Sequence, residues 1–143
     1  EASGAHYVSW EGLFSDSDVL SIHVPLTDLS RGWVGAREIG LMKPSAYFIN
    51  TARAPIVDTD ALVTALRERR IAGAAMDVYD EEPLPAGHPL LALDNVVLTP
   101  HLGYATRESL AAFMEGAAAN IVAWAAGEPA NVMDEGVLDH ARR

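Results

Sequence analysis

The chain has 143 residues, with 10 Lys and Arg against 20 Asp and Glu, no cysteine, and half of its residues hydrophobic. This length and composition indicate a folded domain with its own core. The net charge of −10 excludes a general nucleic-acid binder and a protein held at an anionic membrane surface. The lack of cysteine excludes disulfides, a thiol nucleophile and thiolate metal ligands. We expect a soluble, cytoplasmic protein with no metal site, because no apolar run approaches the roughly 20 residues of a membrane span.

Short apolar runs alternate with helical patterns along the chain. Five runs predict strands, at His6–Val8, Val19–Val24, Ala46–Asn50, Ala74–Val78 and Val96–Leu98. These runs are continuous rather than alternating, which is typical of a parallel sheet covered by helices. The sequence therefore predicts an α/β fold with a doubly wound parallel sheet, whose ligands bind beyond the carboxyl ends of the strands.

Three helices are predicted between and after these strands. A short one spans Ala36–Met42, and a second starts at an Asp58 cap and stops at Gly73. The clearest helix runs from Thr106 to about Ala126, because its apolar residues follow the spacing of a wide stripe.

Polar side chains follow the strands at the predicted carboxyl edge of the sheet. Arg53 follows the Ala46–Asn50 strand, the acidic run Asp80–Glu82 follows the next, and His101 follows the last. Each has an ordinary explanation as a surface arginine, a solvated loop or a structural histidine. Together they form a set that can hold a carboxylate and exchange a proton near neutral pH.

Three segments resemble one known family. INTARAPIVD (49–58), AGAAMDVYDEEPLP (72–85) and NVVLTPHLG (95–103) are similar to the C-terminal blocks of the D-isomer-specific 2-hydroxyacid dehydrogenases. The resemblance extends from about Asp16 to Glu128 with the blocks in matching order and spacing. It implies reversible hydride transfer between a nicotinamide cofactor, NAD or NADP, and a small 2-hydroxy or 2-oxo acid.

The resemblance also implies roles for individual residues. Arg53 matches the arginine that binds the substrate carboxylate, His101 the catalytic acid and base, and Glu82 the glutamate paired with that histidine. Asp77 matches the aspartate that contacts the nicotinamide carboxamide. The cofactor-binding residues expected in this way are Val24, Pro25, Thr51, Ala52, Arg53, Asp77, His101 and Gly103.

Two positions depart from the family pattern. Ala54 stands where the family usually has glycine after the arginine, so that its methyl group is expected to narrow the backbone's range or shift the loop. Tyr104 stands where a small residue is common. Neither change removes a chemical group that the expected reaction needs.

No GxGxxG motif, which binds the cofactor's pyrophosphate in such domains, occurs in the sequence. The resemblance therefore implies a partial Rossmann-like domain that lacks its N-terminal βαβ unit. Residues 1–126 are expected to be the C-terminal part of the NAD-binding domain, and residues 127–143 a tail returning towards an absent substrate domain.

Three interpretations stay open from the sequence. The chain is part of an active dehydrogenase, a non-catalytic remnant, or an NAD-sensing scaffold similar to the corepressors that share this fold. We also expect a homodimer or higher oligomer, because an incomplete sheet exposes a long edge that promotes pairing with another chain.

Overall fold

Four of the predicted strands form one parallel sheet in the computed structural model, which describes residues 4–133. The strands are β1 (Val19–Ile22), β2 (Tyr47–Asn50), β3 (Gly73–Met76) and β4 (Val96–Leu98), and they lie in that order. The α/β prediction is therefore confirmed. β4 matches its predicted range, β1 and β2 are shorter than predicted, and β3 begins and ends earlier; pairing stops at the level where Ile22, Asn50, Met76 and Leu98 lie side by side.

Residues 4–133 contain four α-helices. They are α1 (Trp10–Ser15), α2 (Ala36–Leu41), α3 (Thr59–Arg67) and α4 (Arg107–Ala125), and two short 3₁₀ helices lie at Ala54–Ile56 and Pro89–Ala92. The Asp58 side chain caps α3 by accepting a hydrogen bond from the Ala61 amide at 3.0 Å, as predicted.

The hydrophobic core lies on one face of the sheet. Because the strands follow one another in a single direction, right-handed crossovers bring α2 and α3 to the same face, where the two helices contact each other. Leu20, Phe48 and Ala74 point to this face at neighbouring register positions and are buried. On the opposite face Val19 and Tyr47 stay exposed.

Two predictions about individual elements are wrong, one for a strand and one for the end of a helix. His6–Val8 is not a strand, since no described strand pairs with it and Ser9 caps the unpredicted helix α1 instead. Gly73 does not stop α3, which is followed by Glu68 as its cap and by Arg69 in the left-handed region at φ 55°. Gly73 begins β3, where an added Cβ would lie 2.6 Å from the Asn95 carbonyl oxygen.

The chain divides between Gly103 and Tyr104 into two compact units. In the second unit the Thr106 hydroxyl caps α4 and Gly127, at φ 80°, follows its end, so the predicted helix is confirmed. No α4 side chain is buried. The predicted division after residue 126 stays a prediction, and residues 134–143 of the predicted tail lie outside the described residues. Among residues 4–133 the structure contains no helix with the length and hydropathy of a membrane-spanning segment.

Candidate functional site

The carboxyl edge of the sheet carries two clefts in the first unit. One, of about 540 Å³, is lined by residues 23–26 after β1 and residues 51–53 after β2. The other, of about 440 Å³, is lined by Tyr79, by residues 82–84 and by residues 98–101. The loops meet here because all four parallel strands end at the same level.

His101 and Glu82 form a direct pair in the second cleft. The Nδ1 atom of His101 lies 2.8 Å from Oε2 of Glu82, and the Tyr79 amide donates to the other carboxylate oxygen at 3.0 Å. The hydrogen bond from His101 and that from Tyr79, together with the charges of His101 and Arg53, hold the pKa of Glu82 below its ordinary value. Because an ionised carboxylate only accepts hydrogen bonds, Nδ1 carries the proton of this pair.

His101 itself adopts an uncommon backbone conformation. Its φ is 58°, in the left-handed region that residues with a Cβ atom seldom enter. The turn around it is attached to Asp77, whose carboxylate accepts hydrogen bonds from the Thr99 hydroxyl and from the amides of Leu102 and Gly103. Burial would raise the pKa of Asp77, but these three donors and the nearby His101 outweigh it and hold that pKa below its ordinary value.

Arg53 lies in the first cleft, on a loop that a buried asparagine shapes. Asn50, at the end of β2, donates through Nδ2 to the Arg53 carbonyl at 3.1 Å and accepts from the Ala52 amide at 3.0 Å. The exposed Arg53 guanidinium donates to the Ala52 carbonyl at 2.6 Å. Ala54 is buried and its φ is not positive, so the backbone here does not require the family's glycine.

Sequence reasoning missed three residues that hold these loops. They are Asn50, Thr99 and Tyr79. The Tyr79 hydroxyl lies 2.8 Å from the Met76 carbonyl oxygen and 2.9 Å from the Thr99 carbonyl oxygen, and its one proton is shared between these two acceptors. Burial, with the charges of Asp77 and Glu82, raises the pKa of the Tyr79 phenol. An asparagine that ends an apolar strand was a usable signal for Asn50, because Asn side chains bind backbone groups two residues further on.

The structure therefore divides the predicted site residues into three groups. Val24, Pro25, Thr51, Ala52 and Arg53 line the first cleft. Glu82 and His101 line the second. Asp77 and Gly103 are hydrogen-bonded to each other. The roles of these residues in catalysis and cofactor binding stay predictions.

A family model for the NAD binding domain of D-isomer specific 2-hydroxyacid dehydrogenases matches residues 1–103, which include both clefts. The chain belongs to this family. It is 52% identical over 136 residues to a glyoxylate reductase from Aeropyrum pernix, covering 94% of this chain and 41% of that protein. It is 48% identical over 139 residues to a glyoxylate reductase from Thermococcus litoralis, covering 96% of this chain and 42% of that protein.

Solved structures of the family share the fold. A D-lactate dehydrogenase with NAD⁺ from Lactobacillus jensenii superposes with a TM-score of 0.78 at 31% identity, over 90% of this chain and 43% of that one. The chain thus spans about two-fifths of the length of the relatives it matches.

NAD is the cofactor of this domain family, and the first cleft has a donor set that fits part of such a molecule. Val24, Pro25 and Ala52 give it apolar walls, and Arg53 brings a cation to it. An arginine can bind a phosphate or a carboxylate through two parallel hydrogen bonds.

Proposed function

We propose that this chain carries the cofactor-binding and proton-transfer residues of an NAD(P)-dependent reductase that acts on small 2-oxo acids. Glyoxylate is the substrate class that the names of its relatives favour. The observation that carries the proposal is the 2.8 Å contact between His101 and Glu82, at the same sheet edge as Arg53.

The contact with Glu82 determines which ring nitrogen of His101 is left to transfer the proton. Glu82 is ionised and accepts a hydrogen bond from the Nδ1–H group of His101, so it fixes the tautomer and the orientation of the imidazole ring. In this proposal the other ring nitrogen, Nε2, gives its proton to the 2-oxo oxygen during reduction and takes it back from the hydroxyl during oxidation. The bound nicotinamide cofactor supplies or accepts the hydride.

Arg53 provides the attraction for the substrate. With a net charge of −10, the chain as a whole repels an acid and an anionic cofactor. A local guanidinium that binds a carboxylate through two hydrogen bonds counters this field and fixes the orientation of the 2-oxo group.

The test uses the native protein, meaning the polypeptide as its source organism makes it. Oxidation of NADH and of NADPH is followed with glyoxylate, hydroxypyruvate and pyruvate as substrates, and binding of both cofactors is titrated by their fluorescence. The proposal expects saturable cofactor binding and turnover of glyoxylate or hydroxypyruvate. Saturable binding with no turnover of any 2-oxo acid would contradict it and favour the NAD-sensing scaffold, and absence of binding would favour the non-catalytic remnant.

A further inference from the structure

Asp77 is one of the most enclosed charged groups in the first unit. Only 4% of its surface is exposed, and its carboxylate lies at the carboxyl end of β3. Oδ1 accepts hydrogen bonds from the Thr99 hydroxyl at 2.5 Å and the Leu102 amide at 2.7 Å, and Oδ2 accepts one from the Gly103 amide at 2.7 Å. All three donors belong to the loop that carries His101.

These bonds hold the His101 turn from both sides. Thr99 is fixed before the histidine, by its hydroxyl bond to Asp77 and by its amide bond to the Met76 carbonyl at 3.0 Å. The two amides after the histidine are fixed by the same carboxylate. A left-handed histidine persists only where its surroundings determine it strongly, and charge-assisted hydrogen bonds are the strong ones.

The close approach of Asp77 explains why position 103 is a glycine. A Cβ atom added to Gly103 would lie 3.0 Å from Oδ2 of Asp77, closer than side chains ordinarily pack. The absence of a side chain at Gly103 therefore allows the Asp77 carboxylate to approach the loop closely enough to bind its amides. This explains Gly103 without a contact to a cofactor.

We propose that Asp77 is a positioning residue, which acts on the reaction by holding the 99–103 loop so that His101 faces Glu82. The inference rests on the proposed function and differs from the cofactor contact that the family resemblance implies. A carboxylate offers about four acceptor positions. Three hydrogen bonds within the chain already use Asp77, so most of its bonding capacity serves the loop.

The test compares Asp77→Asn with a matched control. Asn keeps the size of the side chain but has one acceptor oxygen and adds a donor, so at least one loop donor loses its partner. In the native protein we expect kcat to fall by about 100-fold, the loss that a misplacement of about 1 Å can cause. The Kd for NADH stays within about twofold, since the interaction that is lost matters in the transition state.

Two further variants separate positioning from cofactor binding. Thr99→Val removes one donor to Asp77 and leaves the carboxylate in place, so a positioning role predicts a lower kcat here as well. Asp18→Asn weakens an exposed bond of similar length, from Lys43 Nζ at 2.8 Å, just before the amino end of β1, and should leave kcat unchanged. A higher Kd for NADH in Asp77→Asn, with kcat at saturation retained and Thr99→Val unaffected, would overturn the proposal.

A second measurement does not depend on turnover. Hydrogen exchange at the Leu102 and Gly103 amides, and the through-space NMR contact between the His101 ring and the Glu82 side chain, are followed in the wild type and in Asp77→Asn. Faster exchange together with loss of that contact supports positioning, and unchanged exchange or a retained contact overturns it. A wild type with no turnover would contradict the proposed function alone, because this measurement still decides the role of Asp77.

Discussion

At the scale of single residues, the candidate site consists of a few charged groups and of polar residues that hold their loops, of which Asn50 and Asp77 are buried. Glu82 and His101 contact each other directly, whereas Arg53 is exposed and its loop is shaped by the buried Asn50. In the proposed function the chemistry and the positioning therefore belong to different residues, and the two groups should respond differently to substitution.

Arg53→Ala tests the substrate-binding half of this division. We expect a higher KM for the 2-oxo acid and a loss of about 10- to 100-fold in kcat/KM, the range of one or two charge-assisted hydrogen bonds. The matched control is Arg67→Ala, because this exposed arginine ends α3 on the far side from the clefts. Steady-state kinetics of the native protein decide the point, and kinetics equal to those of the wild type would refute the role of Arg53.

The clustering of the charged side chains at this scale could be predicted from the sequence, and the residues that hold their loops could not. Arg53, Glu82 and His101 follow apolar strands within recognisable blocks, so their clustering at one edge was predictable. The Thr99 hydroxyl binds the carboxylate of Asp77, which lies 22 positions earlier in the chain. The Tyr79 hydroxyl binds the carbonyl of Met76 within its own turn. Such contacts depend on loop conformation, which no periodicity in the sequence reports.

At the scale of elements, apolar runs and caps predicted the parallel strands and the two longer helices. The errors occur where tertiary contacts decide. Gly73 looked like a helix stop from its position after a basic run, but the structure uses it where β3 passes against Tyr47 and the Asn95 carbonyl. Helix α1 is only six residues long and depends on packing of Phe14 into the core, so its sequence signal is weak.

Gly73→Ala tests whether the close packing of β3 against Tyr47 and the Asn95 carbonyl requires glycine at this position. The added Cβ would lie 2.6 Å from a backbone oxygen and 3.2 Å from the Tyr47 ring, so something must move. We expect the free energy of unfolding to fall by about 1–3 kcal/mol, the usual cost of overpacking. Urea denaturation followed by circular dichroism measures this change.

The control for this variant is Gly40→Ala in α2. No atom lies within 4 Å of a Cβ at that position, and alanine favours a helix over glycine. We expect the free energy of unfolding to be unchanged or to rise by up to about 1 kcal/mol. Equal effects of the two substitutions would show that close packing at Gly73 does not matter.

At the scale of the whole molecule, the first unit depends on carboxylates that must stay ionised. Glu38, Asp77 and Glu82 each have a folded-state pKa below the ordinary value. For Glu38, burial would raise the pKa, but hydrogen bonds from Gly35 and Trp10 and the charge of Arg37 outweigh it. These groups stabilise the fold at neutral pH, because the unfolded chain binds protons more readily than the folded one.

We therefore expect the free energy of unfolding to decrease as the pH falls below the ordinary carboxyl pKa. The stabilising contribution is complete above the ordinary carboxyl pKa of about 4 and is lost as the pH falls through the lower folded-state values. We expect the urea midpoint to drop on acidification, and to drop less in Glu38→Gln than in the exposed-site variant Asp28→Asn. A midpoint that is constant down to about pH 3 would contradict this account.

Association of whole chains is the second prediction at this scale. Val97 on the edge strand β4 is 64% exposed, and the same face of the sheet also exposes Val19 and Tyr47. Because exposed edges and apolar faces promote pairing, we propose that the protein forms a homodimer or a higher oligomer. Analytical ultracentrifugation should show weaker association for Val97→Lys than for the loop variant Leu29→Lys. A wild type that stays monomeric at high concentration would contradict the proposal.

The central claim is that His101, oriented by Glu82, transfers the proton in a reaction that uses a nicotinamide cofactor. The most direct measurement compares kcat and the Kd for NADH in the wild type and in His101→Ala, using the native protein with glyoxylate. We predict that kcat falls by about 10²- to 10⁴-fold, the usual contribution of a general acid, while the Kd for NADH stays within about twofold. Unchanged turnover, or turnover and NADH binding lost to the same extent, would contradict the claim.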